Sequence, residues 1–537
     1  MSNQQKKQSF LGGAAILAAA VVVVKLIGAV YKIPLGNIIG DDGKAYFDGA
    51  YKIYNVLLTV STAGLPLAIS KLTSEAQAMG RENEKRKLFR TAIWLFFGLG
   101  LAGSLFMYFQ AGALAEFGGV ELSYWPIKAL APAVFCVCLL ACMRGYTQGQ
   151  GNMTPTAVSQ ILEAVCKLGI GLTLAWYFLK IGMGLDVGAA GAILGVTVGT
   201  VLSMLFLIVY LLRHRNTAPA MDVPEGGGAL MKKVLAIGIP ITLSNSAMSI
   251  ITLIDMKVIM DRLHTIPALA ESANSLYGQY SFGMDLINLP PSFVYPVTMS
   301  LIPFAAAAMT RKDTLSANRI VSSAFRLIAL LALPAGVGLS VLGGPILLML
   351  YPRQQAAALG AGPHMRWLGI ACIFICVMTL TNAILQSYGR EKLPIWTMIA
   401  GGATKIVMNY VLVGNPDINI HGAPVSTLCC YMVIVGLNLF FVWKYSPEKP
   451  RYLQLFTKPV IASAFMGGTV WAVYGFSQRA LSAGHSAYGA NAAATLAGIC
   501  AGVAVYFVLV IALRILRAED VRSVPHGEKL VKILHLK

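Results

Sequence analysis

The sequence predicts an all-α integral membrane protein of about fourteen transmembrane helices. Three observations carry that prediction. Apolar runs of 18 or more residues recur from end to end of the 537-residue chain, each long enough to cross a hydrocarbon core of about 30 Å. Only 12% of residues are charged and 57% are apolar, whereas an average soluble domain is about 25% charged. The runs are also continuous, and barrel strands would instead alternate polar and apolar residues over short segments.

The expected spans are about 11–36, 45–70, 90–113, 125–146, 155–180, 187–212, 233–260, 277–308, 320–350, 364–387, 394–414, 422–443, 458–478 and 491–514. The first resembles a signal peptide in its small residues Ala18–Ala20, but the apolar pattern runs well past them, so we read it as a span. With the N-terminus inside, 28 of the 42 Lys and Arg residues fall in inner loops and termini and only 5 in outer loops. That asymmetry leads us to expect both termini on the cytoplasmic side. It also accounts for the net charge of +19 without a nucleic-acid partner. The longest gap, RHRNTAPAMDVPEGGG within 213–232, reads as a flexible linker.

The linker separates two related halves. Pro66 and Pro303, Tyr146 and Tyr388, Pro155 and Pro394, and Lys167 and Lys405 recur at offsets of 237–242 residues. Six spans per half make parallel repeats. The expected domains are therefore 1–212, a linker 213–232, 233–443, two further spans within 444–516, and a cytoplasmic tail 517–537.

Charges inside spans mark the candidate site. Lys25 and Lys32 lie seven residues apart in span one and share a helix face. Lys25 is about 20 Å into its span, where a Lys costs roughly 2.5–3.5 kcal/mol to insert. These lysines either face a wet cavity, where they meet an anion, or snorkel to the headgroups. In span two, Asp48 and Lys52 are spaced to pair, and Tyr51, Tyr54 and Asn55 extend the polar side. Span five spaces Glu163 and Lys167 in the same way. Span seven sets Thr242, Asn245, Ser249 and Thr252 on an arc of roughly 80°, followed by Asp255, Lys257 and Asp261, of which the last two can pair. Polar faces of this kind bond a neighbouring helix or line a cavity. Span eight holds Asp285, Asn288 and prolines 290, 291, 296 and 303, which predict a broken helix. The path is therefore expected between spans one, two, seven and eight.

No HExxH, GxSxG or phosphate-loop motif occurs. The nine cysteines all lie in apolar segments without accompanying His or carboxylate clusters. We therefore expect no enzyme, no metal site, no cofactor and no disulfide framework.

The stretch KLIGAVYKIPLGNIIGDDGKAYFDGAYKIYN…STAGLPLAISKL, followed by RGYTQGQGNMTPTAVSQILE at Arg144–Glu163, resembles one branch of the multidrug/oligosaccharidyl-lipid/polysaccharide exporter superfamily. That branch holds the stage V sporulation protein B and polysaccharide-biosynthesis proteins and is related to the lipid II flippases. The resemblance implies two six-helix lobes around a central cavity. It also implies flipping of an undecaprenyl-pyrophosphate-linked cell-wall or polysaccharide precursor. Anionic inner-leaflet lipids and a sodium ion or proton are the further expected partners. By position, Lys25, Lys32, Lys52, Asn55 and Lys257 take the substrate role. Glu163, Asp255 and Asp285 are the coupling candidates, and Pro290 and Pro291 the gating candidates. Lysines stand where lipid II flippases usually have arginines, and Gly283-Met284-Asp285 lacks their basic residue. Lipid II or a different lipid-linked glycan therefore both fit the sequence as substrate. Two rival functions also fit the helical membrane pattern: a cation-coupled drug exporter of the same superfamily, and a non-transporting scaffold for cell-wall synthesis.

Overall fold

The computed structural model describes residues 10–62, 64–214, 221–295, 298, 313–446, 448–482, 486–513 and 515. The side chain of Asn245, prolines 296 and 303, and the expected tail 517–537 lie outside the described residues. The described residues contain helices and no strand. The helices are α1 (Phe10–Thr62), α2 (Leu65–Ala78), α3 (Glu82–Phe109), α4 (Ala111–Phe117), α5 (Tyr124–Gly149), α6 (Thr154–Cys166), α7 (Leu172–Lys180), α8 (Leu185–Arg213), α9 (Gly227–His264) and α10 (Ala273–Ile287). Then come α11 (289–295), α12 (Thr314–Leu350), α13 (Gln355–Ala361), α14 (Met365–Ser387), α15 (Lys392–Leu412), α16 (Gly422–Tyr445), α17 (Tyr452–Ser482) and α18 (Ala487–Ala512).

Ten helical segments among the described residues are long and apolar enough to cross a membrane. The first of them, Ala19–Ala78, includes a chain reversal inside α1. Gly40 there has φ 71° and ψ −171°, a region essentially closed to residues bearing a Cβ. In consequence the rings of Tyr31 and Phe47 lie 6.2 Å apart. Sixteen residues of straight helix would separate them by about 24 Å. The reversal thus divides α1 into the expected spans one and two.

The chain packs as two units, Met1–Asp261 and Arg262–Lys537. The division falls after Asp261, beyond the 213–232 segment, because the start of α9 is buried in the first unit. Leu230 and Val234 pack there with Leu65, Ile69, Leu88, Phe96 and Tyr146. The RGYTQGQG stretch closes α5 onto α2. A Cβ on Gly145 would sit 2.5 Å from the Pro66 carbonyl, and one on Gly149 2.5 Å from that of Ser70, so only glycine permits this approach. Tyr146 packs on Phe89 at 4.3 Å between ring centroids.

The linker expected to be flexible is partly anchored. The Asp222 carboxylate accepts the main-chain N–H of Asn83 and of Glu84, both at 2.9 Å, and so caps the start of α3 from outside the helix. Partial desolvation works to raise the pKa of this carboxyl. The main-chain N–H groups of Asn83, Glu84 and Asp222 itself, with Arg81 nearby, outweigh it and hold the pKa below the ordinary carboxylate value.

In the second unit a buried Asn438 ties three helices together. Its amide donates to Thr381 at 3.1 Å and to Asn382 at 2.8 Å on α14, and its carbonyl accepts Thr397 of α15 at 2.8 Å. Side-chain bonds of this kind replace the hydrophobic force that helices lack in lipid. Of the repeat landmarks, Tyr146 ends α5 and Tyr388 follows α14, while Pro155 and Pro394 lie in the first turns of α6 and α15.

This packing makes two outcomes testable. Gly40→Ala lowers the thermal midpoint in detergent, by an amount matching about 1–3 kcal/mol of backbone strain. Gly28→Ala, where the added Cβ meets nothing within 4 Å, leaves the midpoint unchanged or slightly raised. The Asp222 pKa is depressed in the folded chain, so its contribution is present above the ordinary carboxylate pKa and lost as pH falls. The stability advantage of wild type over Asp222→Asn is therefore complete at neutral pH. It persists to about pH 4 and disappears as the pH drops through the lowered pKa, as read by thermal scans at stepped pH.

Candidate functional site

The first unit builds its site on the reversal at Gly40. Tyr31, Leu35 and Ile39 form the packed stripe of α1's first segment, all essentially buried. On the helical wheel Lys25 and Lys32 lie about 110° to one side of Tyr31. The exposed Val23, Leu26 and Val30 lie about 110° to the other side, so the two flanks are about 140° apart. An apolar flank suits lipid, and the lysines are not on it. Lys25 is exposed, and Lys32, Lys52 and Asn55 are partly buried.

Between the two arms of the reversal sits a cation whose spacing predicts a different partner. Lys167 Nζ lies 4.9 Å from the Tyr31 ring and 4.6 Å from the Tyr51 ring, and it donates to the Tyr51 hydroxyl at 3.2 Å. Tyr51 stacks on Phe47 at 5.5 Å. Tyr31 is held in turn by its hydroxyl, which donates to the Ala192 carbonyl at 3.2 Å. Cation–π contact and the hydroxyl fix the position of the ammonium group. Lys32 and Lys52 are the chain neighbours of the two caging tyrosines. The reversal thus gathers the segments bearing all three lysines.

Lys167 opens a π-helical turn, Lys167–Gly171. Such turns often mark functional positions. Here the turn admits α8 at close range, since a Cβ on Gly195 would lie 2.3 Å from the Gly171 Cα.

The expected Glu163–Lys167 pair is corrected by this geometry. Glu163 binds Arg144 at 3.1 Å, and Arg144 Nε donates to Ser159 at 2.9 Å. A guanidinium offers several donors in a fixed plane and engages the carboxylate and the hydroxyl together, which a single ammonium does not. Lys44, expected in an outer loop, lies just after the reversal in α1, is fully buried and bonds Asp48 at 2.6 Å.

The polar arc of α9 is partly spent on helix packing. Thr242 accepts the Gly64 N–H at 3.2 Å, and Ser249 shares a hydrogen bond with Thr59 at 2.8 Å. Asp255 is buried in the same helix. Lys257 pairs with Asp261 at 2.9 Å and lies 5.1 Å from the Phe117 ring, so its charge is engaged at that end of α9. In the second unit, Asp285 is partly buried on α10, one turn before a break at Asn288. Pro290 and Pro291 lie in the first turn of α11, where a missing N–H costs nothing. Beside them, Leu286, Leu289, Pro290 and residues of α12, α17 and α18 line an apolar cavity of about 620 Å³.

Comparison with known proteins agrees with this architecture. Stage V sporulation protein B of Bacillus subtilis (strain 168) is 25% identical over 532 residues, covering 98% of this chain and 99% of its own. Lipid II flippase MurJ of the same organism is 24% identical over 461 residues, covering 82% of this chain and 84% of its own. The solved structure of lipid II flippase MurJ in an inward closed conformation superposes with a TM-score of 0.68 at 16% identity, covering 93% of this chain and 99% of that one. Residues 10–309 match the family described as polysaccharide biosynthesis protein. The chain is therefore a multi-pass membrane protein that belongs to the polysaccharide biosynthesis protein family.

Proposed function

We propose that the protein is an alternating-access flippase for an undecaprenyl-pyrophosphate-linked glycan, moving it from the inner to the outer leaflet of the bacterial cytoplasmic membrane. The observation that carries this reading is the set of cations on the two arms of α1 and on the helix packed between them. Lys25 and Lys32 share one flank of the first arm, away from the exposed apolar flank, and Lys167 lies between the rings of Tyr31 and Tyr51. A diphosphate carries the charge that such a set of ammonium groups attracts. Lys25 and Lys32 bind the diphosphate, Lys52 and Asn55 contribute from the second arm, and Lys167 adds a fixed positive field. Lys257, engaged with Asp261, acts once that pair opens.

The apolar cavity beside Pro290 suits part of an isoprenoid tail. The break at Asn288, with Pro290 and Pro291 after it, provides a hinge for gating. Coupling to a sodium ion or proton falls to Asp255 and Asp285. Glu163 joins them only when Arg144 releases it. The match to the lipid II flippase supports a lipid-linked precursor as substrate. Lysines in place of arginines leave the glycan itself to experiment.

Flipping of a fluorescent undecaprenyl-pyrophosphate glycolipid in reconstituted vesicles tests this. Lys25→Ala and Lys32→Ala each slow transport about tenfold or more, the loss expected for one charge-assisted contact. Thermal midpoints stay near wild type, since neither lysine is in the packed stripe. Lys167→Met slows transport as well. Wild-type rates in all three variants would refute the assignment and favour a drug exporter or a scaffold.

A further inference from the structure

The second unit contains a basic pocket that the flipping reading does not use. It lies where α12 and α17 begin and has a volume of about 1070 Å³. Among the described residues, Arg319, Arg326, Lys449, Arg451 and Lys458 line it together with one carboxylate, Glu448. Glu448 is already engaged, accepting from the Asn318 amide at 2.6 Å. Two of the cations are positioned by neutral groups. Lys449 Nζ donates to the Trp443 carbonyl at 2.8 Å and lies 4.4 Å from the Trp443 ring. Lys458 Nζ donates to the Leu513 carbonyl at 2.9 Å. Neither partner neutralises charge, and cations outnumber carboxylates among the described lining residues.

Arg326 is buried, and its guanidinium donates to Ser323 at 2.9 Å. Arg319 and Arg451 are exposed at the rim. The pocket also takes in the first turn of α17, where the helix end adds partial positive charge.

One wall has a different chemistry. Leu453 is 84% exposed beside Arg451, and Leu455 and Ile515 continue the apolar side. The ligand that suits both walls is an amphiphile with an anionic head. The segments before α12 and α17 belong to the basic loops that the charge asymmetry places at the cytoplasmic face, where anionic lipids are met.

We propose that this pocket binds the phosphodiester headgroup of an anionic phospholipid of the inner leaflet. Arg319 and Arg451 receive the phosphate at the rim, Arg326 sets the field behind it, and Leu453 accompanies the start of the acyl chain. The shared chemistry is a phosphate group, and free phosphate is the competing source. The inference does not rest on the flipping reading, because its readout is binding.

The test uses purified full-length protein in a neutral detergent, titrated with phosphatidylglycerol, phosphatidylcholine or inorganic phosphate and followed by thermal shift. We expect phosphatidylglycerol to raise the midpoint saturably, with little response to phosphatidylcholine or to millimolar phosphate. Arg319→Glu/Arg451→Glu weakens the phosphatidylglycerol response about 30-fold or more, from the usual contribution of two basic residues. The neutral pair Arg319→Gln/Arg451→Gln gives the same direction of change should the charge reversal fail to fold. An unchanged response in the neutral pair overturns the proposal, and so does an equal response to phosphatidylcholine. A saturable response to inorganic phosphate alone overturns the lipid as the source.

Discussion

The contact between Lys167 and the two tyrosines of α1 is the interaction on which the first unit depends. It exists only because the chain reverses at Gly40, in a backbone state that demands glycine. Without the reversal, Tyr31 and Tyr51 would lie some 30 Å apart on one straight helix. With it, they close on one ammonium. The same reversal brings the segments of Lys32 and Lys52 to one region and leaves the Lys25–Lys32 flank clear of the packed stripe. A buried charge is costly unless something holds it. Here aromatic faces and a hydroxyl do so.

Around this contact the polar groups divide by task. Arg144–Glu163 joins α5 to α6, and Lys44–Asp48 is a pair within α1. Thr242 and Ser249 bond α9 to the end of α1 and the start of α2. Charged groups inside membrane segments call for function more than for folding. In the second unit, among the described residues, five cations and the carboxylate of Glu448 line one pocket.

How much of this is legible in the sequence depends on the range of the forces involved. The helical membrane class follows from hydropathy, a local property, and the described residues are overwhelmingly helical. The break near Asn288 is visible in the prolines, and the Lys257–Asp261 pair in its spacing. The partners of Glu163 and Lys167 are not, because i,i+4 spacing assumes an uninterrupted α-helix and ignores competitors from other helices. A π turn begins at Lys167, and Arg144 reaches Glu163 from α5. The motif RGYTQGQG hints at this, since an Arg inside an apolar helix needs a carboxylate. Lys44 looks like a loop residue because Gly40–Gly43 resembles a turn, and only the packing shows its burial. The linker anchored by Asp222 carries no apolar signal at all, and a capping carboxylate far away in sequence has no periodic signature.

The most direct test of the central claim is a cryo-electron microscopy structure in lipid nanodiscs with a bound undecaprenyl-pyrophosphate glycolipid. Diphosphate density beside Lys25 and Lys32, with Lys167 still caged by Tyr31 and Tyr51, is the result this account predicts. Diphosphate density elsewhere, with these lysines turned toward lipid, would contradict it.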